Sequence, residues 1–421
     1  MALHVMDEAN RCLGCKNPQC QKGCPINTPI PEVIKLLKAN ELDKAGRMLF
    51  ENNPLTTVCS LICNHENQCE GHCVLGRKGA PVHFSVIENY ISSTYASKMV
   101  QGPHPSNGMK VAIVGSGPAG ITIAILMARY GYQVTIFESK DKIGGILRYG
   151  IPEFRLPKSV LDDIQYRHLE LKGIKIRPNT RIGGAIGVDD LFRDGYKAIF
   201  IGTGVWNPKT LGIKGETFGN VHYAINYLNN PDVYKLGEKV IVIGAGNAAM
   251  DVARTAMRHG TRELTCFSLS KTVAASQYEF SYAQLEGVDF VYNKKPVEIV
   301  DEGVIFRDVE EHEDHTFTEI PGTDKLYRAD SIIISISQGP QNAIVSTTTG
   351  LDANSRGLLV ADECGRTTRP GIFASGDVVV GARTVVEAVA FSKKVASAMH
   401  EYIQDTLKQS GEAGKPEEKT E

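Results

Sequence analysis

Hydrophobic residues change their period twice along this chain of 421 residues. From Ile30 to about Ala96 they recur at helical spacing. Val33, Ile34, Leu36 and Leu37 share one face, Leu42, Met48, Leu49 and Phe50 follow, and Pro31 suits a first helical turn. The pattern predicts a small helical domain. Gly102 to Gly108, rich in glycine and proline, breaks both helix and strand and reads as a linker. Short apolar runs ended by glycine come next. Lys110–Val114 predicts a strand, Gly115-Ser116-Gly117-Pro118-Ala119-Gly120 a turn, then a helix to Tyr130 and a strand Val134–Glu138. The same order returns as a strand Lys239–Ile243, a turn Gly244-Ala245-Gly246-Asn247-Ala248-Ala249, a helix to His259 and a strand Glu263–Phe267. A third apolar run ends at Ser375-Gly376-Asp377, and Thr384 then opens a helix from Val385 to Met399. The tail from Gln409 lacks apolar residues to pack and is expected to be disordered.

Each β-α-β unit with such a turn is a dinucleotide fingerprint. The first glycine makes the tight turn, the second admits a pyrophosphate, the third lets helix and strand pack, and the helix N-terminus faces the anion. Gly115, Gly117, Pro118, Ala119 and Gly120 form the first site, and Glu138, 23 positions after Gly115, stands where a carboxylate takes a ribose hydroxyl. Gly244, Gly246, Asn247 and Ala248 form the second, with Ala249 in place of the third glycine. One dinucleotide held and one exchanging is what FAD with NAD(P)H requires. Gly376 and Asp377 suit the flavin ribitol, and the positive end of the helix at Thr384 and Val385 suits the flavin ring. Since Gly376 lies so far from Gly115, the flavin domain is expected to be discontinuous. The expected units are a helical domain 1–101, a FAD domain in two parts (109–214 and 339–405), an inserted NAD(P) domain 215–338 and a tail 406–421. The fold class is α/β, with two Rossmann-like domains behind a helical one.

Eight of the ten cysteines fall before residue 74, as Cys12-x2-Cys15-x4-Cys20-x3-Cys24-Pro25 and Cys59-x3-Cys63-x5-Cys69-x3-Cys73. A bacterial ferredoxin run has nearly the first form, and there the fourth thiolate ligates a different cluster from the first three. Two 4Fe–4S clusters are therefore expected. Zinc sites come as two compact pairs, and disulfide frameworks belong to small secreted chains. Met1 to Asn10 holds acids and no apolar core of a signal peptide. Counting alone nominates Cys59 as the eighth thiolate. Cys266 and Cys364 are isolated, which argues against a disulfide-reductase mechanism, and His65, His72 and His83 read as packing or surface residues.

A net charge of −2 gives no basic field for nucleic acid or anionic lipid. No stretch approaches the roughly 18 to 20 apolar residues of a membrane helix. The expected setting is the cytoplasm.

From about Asn10 to Ile403 these segments resemble the glutamate synthase small-subunit family. Its relatives are the N-terminal part of dihydropyrimidine dehydrogenase and the large subunit of NADH-dependent reduced ferredoxin:NADP oxidoreductase. The resemblance rests on the cysteine runs, on the stretch from Gly144-Gly145-Ile146-Leu147-Arg148 to Pro157-Lys158, on Gly202-Thr203-Gly204, on Ala248-Ala249-Met250-Asp251, and on Gly376-Asp377 with Thr384 to Val389. It implies that Gly145, Arg148, Ile151 and Gly204 lie beside the flavin. It also implies one cluster on Cys12, Cys15, Cys20 and Cys73 and another on Cys24, Cys63, Cys69 and Glu88, leaving Cys59 a bystander. Where NADPH-dependent relatives often carry two arginines, this chain reads Phe267-Ser268-Leu269-Ser270-Lys271. Lys271 or Arg262 remains for a 2′-phosphate, no acid is present for NADH, and the coenzyme stays open. The implied activity is passage of electrons between NAD(P)H, FAD, two clusters and a partner subunit, with no catalytic triad. That partner would be a glutamate synthase large subunit, a ferredoxin or transhydrogenase module, or a pyrimidine-reducing subunit, since no segment is left for an acceptor. A wiring or scaffold subunit without coenzyme turnover is the alternative.

Overall fold

The computed structural model describes residues 4–98 and 102–410. Helices Val5–Arg11, Ile30–Lys38, Leu42–Asn52, Thr56–Ile62 and Phe84–Lys98 build the N-terminal unit. Their apolar stripes meet in a core of Val33, Ile34, Leu37, Leu49, Ile87 and Ile91. Leu36 and Met48, expected on the same face, are only partly buried at its margin. Between these helices the chain is mostly irregular, with a short helix Gln19–Lys22, and the cysteines lie there apart from Cys59, which is within Thr56–Ile62.

The next strand, Lys110–Val114, is central in a five-stranded parallel sheet. The order is Ile372–Ala374, Tyr196–Ile201, Lys110–Val114, Gln133–Phe137, Lys175–Arg177. The second sheet repeats it with Val221–Tyr223, Ser331–Ile334, Lys239–Ile243, Glu263–Phe267 and Val288–Val291. In both, the apolar strand buried on two faces is what a parallel, helix-covered sheet demands. The expected strand Val134–Glu138 begins and ends one residue earlier, because Glu138 turns out of the ladder after Phe137. The helix opened by Thr384 is longer than expected and runs to Ser410. Its apolar face keeps packing, through Met399 and Ile403, on the helix Pro118–Arg129. The tail expected from Gln409 therefore begins inside a helix, and the rest of it lies outside the described residues.

The chain passes between the two sheets twice, at Asn207–Pro208 and Gln338–Gly339, and these crossings pair antiparallel. An antiparallel meander, Lys294–Val300, Gly303–Glu311 and Phe317–Glu319 with Lys325–Arg328, sits within the inserted unit. A second joint is electrostatic. Arg155, from the flavin side, donates to both oxygens of Asp251 at 2.9 and 2.8 Å and pairs with Glu279 at 2.8 Å. Glu279 also meets Arg254 at 2.6 Å, and the Arg254 and Arg258 guanidiniums lie 4.6 and 4.2 Å from the centre of the Phe154 ring. Phe154 and Arg155 thus plug one domain into the other.

Removing one member of a buried ion pair strands the others' charges at low dielectric. Arg155→Ala is expected to destabilise the chain by about 3 kcal/mol in chemical denaturation, Glu279 keeping Arg254 as a partner. Arg155→Lys should recover less than half, since an ammonium cannot reproduce the fork. An unchanged unfolding transition in Arg155→Ala would show that the joint carries no stability.

Candidate functional site

Both glycine turns end a central strand and open a helix, and they do so in the same way. Gly115 (φ 96°) and Gly244 (φ 132°) occupy the left-handed region, and a Cβ on either would press on a backbone carbonyl, that of Gly202 or of Ser335. Gly120 is closed off likewise by the Gly115 carbonyl. Gly117 and Gly246 differ, because a Cβ on either would meet nothing within 4 Å. The two middle glycines face open space, as a backbone cradle for a pyrophosphate must.

That space is one cavity of about 990 Å³ reaching from the first turn to the second. Of the expected residues, Gly115, Gly117, Pro118, Ala119, Glu138, Gly145, Ile151, Gly204, Gly376, Asp377, Thr384 and Val385 line it on the flavin side. Gly246, Asn247 and Ala248 line it on the coenzyme side. Gly120 and Gly244 are packing residues behind the wall. Arg148, expected beside the flavin, faces away from the cavity, donating from Nε to the Ile143 carbonyl at 2.7 Å and pairing with Asp162 at 2.6 Å. Lys271 also lies outside the wall, its N–H bound to Glu311 at 2.9 Å. Arg262 precedes its strand, at the end away from the glycine turn, and pairs with Glu238 at 3.3 Å. The position matching Glu138 in the second unit is Ser268: both donate their N–H to the next strand, at 2.9 and 2.8 Å.

Glu138 is buried, and its carboxylate accepts the N–H groups of Ser116 and Lys140 at 2.9 and 2.8 Å, as well as the Ser116 hydroxyl. The Ser139 hydroxyl donates as well, at 3.2 Å, and these bonds hold the carboxylate in place in the cavity wall. Burial pushes Asp377 up to about 6, offset in part by the N–H of Arg383 at 3.2 Å. Thr384 and Glu387 cap the long helix reciprocally: the Thr384 N–H and hydroxyl bind Glu387, and Thr384 Oγ1 accepts the Glu387 N–H at 3.4 Å. Lys158 fixes the loop between Gly144 and Pro157 by donating to the carbonyls of Leu147, Ile151 and Leu156. Burial brings its ammonium down to about 8.

Sequence reasoning passed over Asn64, Arg155, Arg181 and Trp206, which also line the cavity. Trp206, the chain's one tryptophan and two residues past Gly204, was the available signal. Asn64, whose Oδ1 is buried without a partner, is brought there with Ile62 and Cys63 from the N-terminal unit. No spacing rule reaches across 50 residues to find it.

All ten cysteines are free thiols. Cys12, Cys15, Cys20, Cys69 and Cys73 wall a small apolar cavity with Ile30, Ile34 and Phe84. Burial, followed by the neighbouring thiols of Cys73, Cys12 and Cys15, pushes Cys20 up to about 11. Cys69 is raised by burial and then by Glu88, with Glu70 and Cys24 adding to it. Cys63 is raised first by its hydrogen bond with Cys59 and by burial, with Glu88 and Cys69 close enough to contribute. Glu88 is buried, bonded to the Thr56 hydroxyl at 2.7 Å, and burial pushes it up to about 7. Among the described residues no three such groups are close enough to hold one metal ion. The ligands of a cluster stand further apart, around several irons, so the donor set fits that larger group. Of the histidines, His83 pairs with Glu70 at 3.1 Å, His72 is exposed, and His65 keeps a buried Nε2 without a partner.

Residues 109–392 match the model of the pyridine nucleotide-disulphide oxidoreductases, and residues 2–100 match dihydropyrimidine dehydrogenase domain II, 4Fe-4S cluster. The chain belongs to the pyridine nucleotide-disulphide oxidoreductase family. Within it, the chain is 31% identical to the glutamate synthase [NADPH] small chain of Escherichia coli, over 94% of this chain and 91% of that one. It is 30% identical to the NAD-dependent dihydropyrimidine dehydrogenase subunit PreT of Salmonella typhimurium, over 96% and 95%. It is likewise 30% identical to the NADP(+)-dependent formate dehydrogenase subunit beta of Moorella thermoacetica, over 91% and 60%. Thioredoxin reductase of T. acidophilum shares the fold with a TM-score of 0.55 at 23% identity, covering 70% of this chain and 98% of that one. FprA of Mycobacterium tuberculosis in complex with NADPH does so at 0.61 and 16%, covering 75% and 88%. An iron–sulfur domain thus precedes a pyridine-nucleotide oxidoreductase domain. In the oxidoreductase domain Cys266 is fully buried and Cys364 stands apart from it, and the paired thiols near the cavity are Cys59 and Cys63 of the N-terminal unit.

The two middle glycines allow a selective test. Gly117→Leu is expected to fold, since its backbone is extended, as any residue can be, and its Cβ unobstructed, yet to purify without flavin. Gly246→Leu should keep its flavin and lose reduction by coenzyme. Loss of flavin from Gly246→Leu, read by absorbance, would mean the two turns are assigned the wrong way round.

Proposed function

We propose that this chain is the electron-input subunit of a larger oxidoreductase, exchanging electrons between NAD(P)H at the Gly244 turn, FAD at the Gly115 turn, two 4Fe–4S clusters and a partner subunit. The observation that carries this reading is the single cavity joining both turns, with Cys63 of the N-terminal unit in its wall. Bound flavin supplies the conversion between a nicotinamide's two-electron hydride and the single electrons that clusters carry. The chain's own residues bind and orient. Gly117 and Gly246 admit the two pyrophosphates, Glu138 takes the flavin's adenosine ribose and Asp377 its ribitol. Glu387 occupies the Thr384 N–H, so the following N–H groups of the helix at Val385 remain for the ring's electron-rich edge. The nicotinamide half has a serine where Glu138 stands in the flavin half, so that position favours neither coenzyme.

The cluster ligands form two sets, with Cys69 standing between them, in the cavity wall of the first and within reach of Glu88 and Cys24 of the second. Cys12, Cys15, Cys20 and Cys73 would hold one cluster, and Cys24, Cys63, Cys69 and Glu88 the other. Glu88 acts on both Cys63 and Cys69, whereas Cys59 bonds Cys63 and packs into the flavin domain's core. This supports Cys59 as a bystander. The named relatives include subunits of larger enzymes, and by analogy the partner is a glutamate synthase large subunit or a pyrimidine-reducing subunit. Cytoplasmic placement fits this reading, and among the described residues no helix is long and apolar enough to cross a membrane.

Purified without oxygen, the protein is expected to carry about eight irons and one FAD per chain. Glu88→Ala should lower the iron content while Cys59→Ala leaves it unchanged, and the reverse would exchange their roles. Rapid mixing with NADH or NADPH should bleach the flavin of the isolated chain. Turnover of glutamine with 2-oxoglutarate, or of a pyrimidine, should appear only with the matching partner added, and Cys12→Ser should abolish it while sparing bleaching. Bleaching by neither coenzyme would sink the reading and favour a scaffold subunit.

A further inference from the structure

A second cavity, of about 360 Å³, opens where the N-terminal unit meets the flavin domain, away from both glycine turns. Arg47, Phe50 and Glu51 of the helix Leu42–Asn52 form one wall, and Arg129, His168 and Lys172 the other. Its charge is one-sided, with three permanent cations against the single acid Glu51. Arg129 is half-buried; it donates to the Phe50 carbonyl at 3.2 Å and lies 5.3 Å from the centre of that ring, but makes no salt bridge among the described residues. Arg47 makes neither a hydrogen bond nor a salt bridge among the described residues. The charges are close enough to oppose one another. Lys172 is lowered by burial and then by Arg129, and His104, on the same cavity, by burial and then by Lys172 and Arg129.

The second observation is independent of charge. His168 is 3% exposed and stacks on Phe50 with ring centres 4.5 Å apart, yet its Nδ1 is buried without a hydrogen-bond partner. Buried polar atoms are nearly always satisfied, so an orphan in a cavity wall points to a missing partner. Burial keeps this imidazole neutral, bringing it down to about 4, so one ring nitrogen can donate to an acceptor without adding charge. A half-buried guanidinium with Glu51 near it but no salt bridge is likewise under-compensated, and an anion would satisfy both.

We propose that this cavity binds a small organic dianion, a phosphate monoester or a dicarboxylate, held by Arg47, Arg129 and Lys172 with a hydrogen bond from His168. The Phe50 ring gives the carbon skeleton an apolar wall. Because the walls come from both units, the occupant bridges the cluster domain and the flavin domain, and its binding stabilises their contact by mass action. This is separate from either dinucleotide, whose turns lie in the larger cavity.

Calorimetric titration of the flavin-loaded protein with glycerol 3-phosphate and with succinate, at matched sodium chloride, tests the site. Saturable one-to-one binding of at least one probe is expected, and which one binds identifies the class. Arg47→Ala, at an exposed position that leaves the core intact, should weaken binding at least tenfold. Arg129→Met and His168→Phe should weaken it too, flavin content reporting that each variant has folded. Binding of neither probe, or equal affinity in wild type and Arg47→Ala, would overturn the proposal, the second result placing the anion at a coenzyme turn instead.

Discussion

A guanidinium that leaves one nucleotide-binding domain to sit between two carboxylates of the other governs the geometry of the larger cavity. Arg155 reaches Asp251 and Glu279, and the Phe154 ring beside it lies under two further guanidiniums. Burial, with a smaller push from Glu279, raises Asp251 to about 6 in spite of the Arg155 contact, while Arg155, which burial would lower, is raised by the two carboxylates. The pair is therefore costly to keep dry, and the direction on the acid follows desolvation. An apolar plug of similar volume could be as stable. What the charges add is register, because a planar fork accepts a carboxylate in few orientations. With the crossings Asn207–Pro208 and Gln338–Gly339 pairing nearby, the two glycine turns are left facing one space.

The cysteine runs obey a different constraint. The Cys20 thiol, walled with Ile30, Ile34 and Phe84, is held in its neutral form by burial. Ligation needs thiolates, so cluster assembly releases protons into a region that resists charge. Cluster binding and folding of the ligand loops are then coupled, beside a core of Leu49, Ile87 and Ile91 that is already fully buried. Cys63 has a further position, in the wall of the dinucleotide cavity, which brings the second thiol group nearest the flavin side.

The family takes its name from a disulphide, and here Cys266 is buried in the coenzyme domain while Cys364 stands apart from it. Fold is shared with thioredoxin reductase, but the chemistry lives in the site, and no paired thiols lie beside the cavity among the described residues apart from Cys59 and Cys63 of the N-terminal unit. An iron–sulfur domain is appended instead, over residues 2–100.

Period and glycine spacing determined the elements. The alternation of apolar strand, glycine turn and helix fixed both parallel sheets, because a strand buried on two faces and a carbonyl packed against a missing Cβ leave no other residue tolerable at Gly115, Gly120 or Gly244. Cysteine spacing likewise pointed to cluster chemistry in the N-terminal unit, which the match of residues 2–100 to a 4Fe-4S domain bears out, but by count alone it did not separate Cys59 from the rest. Neither could place residues distant in sequence. The turning of Arg148 to Asp162, the entry of Asn64 and Cys63 into the cavity wall and the position of Glu88 against two cysteines all depend on which surfaces pack after the helices and sheets have formed. The basic cavity at His168 is of the same kind. Its walls are ordinary helix positions, Arg47 and Arg129 among them, and only the docking of two units puts their charges in one space with nothing between them.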